Sequence, residues 1–112
     1  MNIFIIDDNI ASRTLAAAYI RRIDPLCHIT EAGNAQEALA KARDVNYIDV
    51  VIVDDLEGLG LGLVSDLKAA FPKAKIGLLT INLALQEPAK ELGIEFIPKP
   101  VTADKLRQYF FS

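Results

Sequence analysis

Five short runs rich in Ile, Val and Leu recur along the chain, at Asn2 to Ile6, His28 to Ala32, Asp49 to Val53, Lys75 to Leu79 and Ile94 to Ile97. Longer stretches between them repeat their apolar positions at helical spacing. Alternation of strand and helix patterns predicts a parallel α/β sheet, because a parallel strand can only be reached by a crossover long enough to hold a helix. The third run, DVVIV, is continuously apolar after its acid and predicts a strand buried on both faces.

The helix signals vary in strength. In the first helix, Ala11, Leu15, Ala18 and Arg22 share a stripe with Tyr19 and Ile23 beside it; Asn9 is placed to cap its start, and Pro25 stops it. The second opens at Asn34, which has capping-box spacing to Glu37, and runs to about Asp44. The third carries Leu63, Leu67 and Phe71 and ends at Pro72. The fourth is confined between Pro88, which fits only a first turn, and Gly93. The fifth follows Thr102, with Leu106, Tyr109 and Phe110 as its apolar face.

In such a sheet, ligands sit outside the carboxyl ends of the strands. Those ends carry Asp7-Asp8, Asp54-Asp55, Thr80 and Pro98-Lys99-Pro100. Carboxylates gathered within about 4 to 6 Å repel by a few kcal/mol per pair at an effective dielectric near 20, so they hold protons or bind a cation. Hard oxygen donors favour Mg²⁺ or Mn²⁺ over zinc. A single Asp pair after a strand is usually a helix cap or a solvated loop. Two pairs, with a hydroxyl and a lysine at the remaining ends, point to a site. Pro98 and Pro100 restrict the backbone on either side of Lys99 and so aim its side chain, and a proline at a strand end suits an edge strand.

Composition narrows the class further. The chain has 112 residues, 52% apolar and 24% charged, which predicts one folded domain over residues 1–112. A net charge of −3 offers no general attraction to nucleic acid or to an anionic membrane. MNIFIIDDN lacks the basic and long apolar regions of a signal peptide, and no apolar run approaches the roughly 20 residues that span a bilayer. With Cys27 alone, no internal disulfide can form, and a cytoplasmic setting is expected. Cys27 reads as a small buried residue, and His28 begins a strand away from the acids. Gly58, Gly60 and Gly62 do not make a G-x-G-x-x-G loop, because position 63 is Leu; Gly62 is expected to serve close packing.

Taken in order, IFIIDDN, IDVVIVD, Thr80 and FIPKP resemble the receiver domains of bacterial response regulators across the whole chain. The likeness includes the five-residue offset of Asp49 and Asp54, and Gly62 eight residues after Asp54. It implies a doubly wound, flavodoxin-like sheet of five parallel strands in the order 2-1-3-4-5 flanked by five helices, standing alone as the chemotaxis regulators do. It also implies Asp54 as phosphoacceptor and Mg²⁺ (or Mn²⁺) held by Asp8, Asp54 and the backbone carbonyl of Leu56, with Asp7 acting through a coordinated water. Lys99 would pair with the phosphoryl group, Thr80 would be the switch hydroxyl, and Phe96 the aromatic that changes rotamer.

The donor would be a histidine kinase or histidine phosphotransfer protein, and the output a downstream protein contact or a homodimer. No enzyme activity is implied beyond chemistry on the chain's own aspartate. Three features depart from the pattern: Asp55 beside Asp54, the loop DLEGLGLGL without Met-Pro, and Leu56 where the family is often polar, near the path of an attacking water. The apolar residues Ile81, Leu83 and Leu85 precede a short fourth helix and are expected in the core. A phosphorylation-independent interaction module of the same fold is the alternative. A haloacid-dehalogenase-type phosphohydrolase is disfavoured, since D-x-D would require an acid at Leu56.

Overall fold

The computed structural model describes residues 1–111. The strands are β1 (Asn2–Ile6), β2 (His28–Ala32), β3 (Val50–Asp54), β4 (Lys75–Thr80) and β5 (Glu95–Pro98). The helices are α1 (Ile10–Ile23), α2 (Ala35–Asp44), α3 (Gly60–Ala70), α4 (Gln86–Glu91) and α5 (Ala103–Phe110), with short 3₁₀ turns at Leu56–Gly58 and Leu83–Leu85. All strand pairs are parallel, in the order β2-β1-β3-β4-β5, as expected. No helix among the described residues is long and apolar enough to cross a membrane.

The last three strands run one residue further than their apolar runs, because Asp54 pairs with Leu79 and Thr80 with Pro98 in the ladder. Asp54 and Thr80 are therefore strand residues, with directions set by the pleat. Pro98 lies on the edge strand; Lys99 N–H extends the pairing by donating to the Thr80 carbonyl at 3.0 Å.

Side chains alternate between two apolar layers. Phe4, Ile6, Val51, Val53 and Leu78 pack with Ala38 of α2 and with Leu63, Val64 and Leu67 of α3. Ile3, Ile5, Val50, Ile52, Leu79 and Ile97 pack with Ala16, Ala17 and Ile20 of α1 and with Leu106 and Phe110 of α5. Each fully buried Ile, Leu or Phe contributes about 1.5–3 kcal/mol. Gly77 lets α5 approach, since a Cβ there would lie 2.6 Å from Phe110 Cζ.

The expected caps form, with Asn9 and Asn34 accepting from the N–H groups of Ser12 and Glu37, and Thr102 adds a third by accepting from Lys105 N–H. The expected face of α1 is wrong. Ala11, Leu15, Ala18 and Arg22 face solvent, Leu15 being 44% exposed, while Ala16, Ala17 and Ile20 are buried. Small alanines let α1 sit close to the sheet, and Leu15 carried the stronger but misleading signal. Ile81 and Leu83 are likewise 80% and 69% exposed, contrary to a core role; only Leu85 packs on the interior. The Ile81–Leu85 stretch is spent on a loop and a 3₁₀ turn outside the sheet, so most of it never reaches the apolar layers.

Candidate functional site

The parallel topology brings the polar strand ends onto one rim. Carboxylate oxygens of Asp7, Asp8 and Asp54 lie within 4.8 Å of one another. Asp54 is only 6% exposed, and Asp7 is also buried, while Asp8 is open to solvent. A cavity of about 340 Å³ opens over them, lined by Asp8, Asp54, Asp55, Glu57, Thr80 and Lys99 among others.

Two side chains complete the arrangement. Lys99 Nζ stands 2.5 Å from Asp54 Oδ1, and buried Thr80 keeps its Oγ1 as acceptor for Asn82 N–H at 3.0 Å, leaving the hydroxyl proton free to donate. Burial lowers the Lys99 pKa, but the close contact with the Asp54 carboxylate, with the charges of Asp7 and Asp8 beyond, outweighs it and holds the ammonium above its usual range. Burial pushes the Asp7 carboxyl up; the Asn9 N–H bond and Lys99 oppose this, and the charges of Asp54 and Asp8 reinforce it.

Asp54 Oδ2 accepts the Leu56 N–H at 3.0 Å, whereas buried Oδ1 meets Lys99 as a charge contact and has no aligned hydrogen bond among the described residues. An under-satisfied buried carboxylate oxygen beside two further acids suits a hard divalent cation. Asp55 Oδ1 is also buried without a hydrogen bond among the described residues, at the cavity wall.

The loop after Asp54 departs from expectation. Leu56 and Glu57 both have positive φ, at 51° and 55°, which costs non-glycine residues about 1–2 kcal/mol each. That turn drives the Leu56 side chain into the core rather than beside the path of a water, and puts Glu57 at the cavity wall. The Leu56 carbonyl already accepts Leu59 N–H at 3.2 Å. Gly62 does not serve close packing: a Cβ there meets nothing among the described residues within 4 Å. Gly60 is the close approach, since a Cβ would lie 2.2 Å from the Asp54 carbonyl oxygen.

Lys105 was also missed. Its Nζ donates to the Pro98 and Pro100 carbonyls at 2.7 and 2.9 Å, bracketing Lys99, whose peptide bond to Pro100 is cis. A basic residue six positions after Lys99 carries no local signal of this contact. Phe96 is half-buried, on the opposite face of β5 from Ile97.

Residues 3–111 match the model of the response regulator receiver domain. The chain belongs to that family. The transcriptional regulatory protein CitT of Bacillus subtilis (strain 168) is 30% identical over 115 residues, covering 96% of this chain; the chain spans about half of CitT's length, 50%. A Burkholderia pseudomallei response regulator, solved with a phosphorylated aspartic acid, a calcium ion and citrate, superposes with a TM-score of 0.80 at 26% identity, covering 99% of this chain and 66% of that one. Chemotaxis protein CheY4 of Vibrio cholerae has the same fold, with a TM-score of 0.80 at 22% identity and 96% and 92% of the two chains covered. In this receiver the Asp7, Asp8 and Asp54 cluster is consistent with a divalent-metal site of the kind typical of the family.

The raised Asp7 pKa gives a signed pH dependence. A carboxyl with a folded pKa above its unfolded value binds protons more tightly when folded, so metal-free stability falls as pH rises from the ordinary aspartate range through the raised pKa. Thermal melts in chelator are expected to show this slope in the wild type and a shallower one in Asp7→Asn, which should also melt higher at neutral pH. Added Mg²⁺ should stabilise the wild type more than the variant.

Proposed function

We propose that this receiver accepts a phosphoryl group on Asp54 from a phosphohistidine of a kinase or phosphotransfer protein, and that the modified form presents a changed surface to a partner. The observation that carries this reading is Asp54 itself: a buried carboxylate with Lys99 on one oxygen, two acids beside it and a cavity open to the donor.

In the transfer, an Asp54 carboxylate oxygen forms a bond to phosphorus as the donor's P–N bond breaks and the electron pair leaves on the imidazole nitrogen. Asp8 and Asp54 would hold Mg²⁺ or Mn²⁺, with Asp7 acting through a water and the Leu56 carbonyl as a further donor. The cation supplies charge neutralisation for the phosphoryl oxygens. Lys99 moves from Asp54 to a phosphoryl oxygen, following the negative charge. Thr80 then turns its hydroxyl proton towards the new acceptor, releasing the loop that starts at Ile81, and Phe96 adjusts its rotamer beside it. The exposed Ile81 and Leu83 ride on that loop, so its movement changes an apolar surface.

Residues 1–112 act as one receiver unit in this proposal. Treatment with a small-molecule phosphodonor and Mg²⁺ tests it: label is expected in the wild type and in Asp55→Asn, and to be absent in Asp54→Asn. Label kept in Asp54→Asn and lost in Asp55→Asn would move the acceptor to Asp55. No label in any form, with no Mg²⁺ affinity, would favour a phosphorylation-independent interaction module.

A further inference from the structure

The acid pair at the end of β1 is braced from α1. Arg13, one turn into that helix, donates from Nη1 to the backbone carbonyl of Asp7 at 2.7 Å and from Nε to Glu31 Oε1 at 3.1 Å. The Asp7 N–H donates to the Ala32 carbonyl at 3.0 Å. Both peptide units flanking Asp7 are thus tied, one by the β2 ladder and the other by the guanidinium. Glu31 is itself anchored, since Lys41 Nζ donates to its backbone carbonyl. Gly33 leaves room for this bridge: a Cβ there would stand 3.3 Å from Arg13 Nη1.

The peptide joining Asp7 to Asp8 sets the direction of both side chains, so its rotation would move both carboxylates away from Asp54. Among the described residues no backbone N–H donates to the Asp7 carbonyl, which makes Arg13 its anchor. Glu31 neutralises the guanidinium and fixes its direction, so that it meets Asp7 as a hydrogen-bond donor to the carbonyl. We propose that Arg13 is a positioning residue for the cation site, holding the Asp7–Asp8 peptide while Glu31 holds Arg13. This rests on the reading of the acid cluster as a Mg²⁺ site.

Calorimetric Mg²⁺ titration of the full chain, paired with thermal melts in chelator, tests the assignment. Arg13→Ala is expected to weaken Mg²⁺ binding by about tenfold, and Glu31→Gln by about threefold. The double variant should bind no more weakly than Arg13→Ala, because both substitutions break one linkage. Arg13→Lys, which cannot make both bonds, should fall between wild type and Arg13→Ala. A purely structural brace would lower the metal-free melting temperature and leave the Mg²⁺ affinity unchanged, which would overturn the assignment. Should Arg13→Ala not fold, Glu31→Gln decides by the same criterion. Wild-type protein that binds no Mg²⁺ would overturn both this assignment and the metal-site reading, whereas wild-type binding unaltered by the substitutions would overturn this assignment alone.

Discussion

Lys99→Ala is expected to slow phosphorylation of Asp54 by about 10²- to 10³-fold at saturating Mg²⁺, the loss seen when one preorganised donor is removed from a site of developing negative charge. Lys99 already lies against Asp54 Oδ1, so the charge needed in the transition state is in place before the donor arrives. Single-turnover labelling with a small phosphodonor measures the effect. Lys99→Arg is not a conservative rescue, because a planar guanidinium on a longer side chain does not reproduce the point contact that the ammonium makes with Asp54 Oδ1.

The same substitution changes metal-free stability in a defined direction. The folded-state pKa of Lys99 is raised, so its contribution is fully present below the ordinary lysine range and is lost only as pH rises through the higher folded value. Removing it at neutral pH leaves the acids uncompensated. Because Lys99 is partly solvated, the cost should be about 2 kcal/mol, below that of breaking a fully buried pair. Mg²⁺ should restore much of it, which denaturant melts with and without the ion would show.

Gly60→Ala and Gly62→Ala are expected to act with opposite signs. At Gly60 the added methyl would meet the Asp54 carbonyl oxygen at 2.2 Å and the Asp55 carbonyl oxygen at 2.9 Å, both backbone atoms at the end of β3. Neither can rotate away as a side chain would. The start of α3 or the end of β3 has to shift, at a cost of about 3 kcal/mol, and Asp54 moves with it. Phosphorylation should fall along with stability. At Gly62 nothing lies within 4 Å of the added methyl, and alanine replaces glycine inside a helix. That change should stabilise by up to about 1 kcal/mol and leave labelling unaffected. Denaturant unfolding of both variants checks the pair.

These two glycines mark the boundary of what local sequence reveals. Asp7, Asp8, Asp54, Thr80 and Lys99 were legible because each follows an apolar run, and a parallel α/β sheet sends all such ends to one rim. The strand order and the caps at Asn9 and Asn34 were legible for similarly local reasons. Gly60 was not, because its role depends on how the Leu56–Gly58 turn folds back on Asp54, with left-handed backbone at two non-glycine residues.

The buried face of α1 was hidden by side-chain size. Ala16 and Ala17 are a weak apolar signal, yet they make the close contact with the sheet, while Leu15 points to water. Arg13 and Lys105 were hidden by reach. Their contacts are carbonyl oxygens at the ends of neighbouring strands, and spacing along the chain does not predict where a long side chain will terminate. The Asp54–Asp55 ambiguity was narrowed by register. Asp54 belongs to β3 and joins the acid cluster, while Asp55 lies past the strand end at the cavity wall.

The central claim, that Asp54 carries the phosphoryl group, is tested most directly by trapping the product on the wild-type chain. Borohydride reduction of an aspartyl phosphate gives homoserine at the modified position, which peptide sequencing by mass spectrometry locates without any substitution in the site. After incubation with a phosphodonor and Mg²⁺, homoserine is expected at position 54 and to be absent when Mg²⁺ is chelated. Homoserine at position 55, or at neither position under conditions where Mg²⁺ binds, would contradict the account.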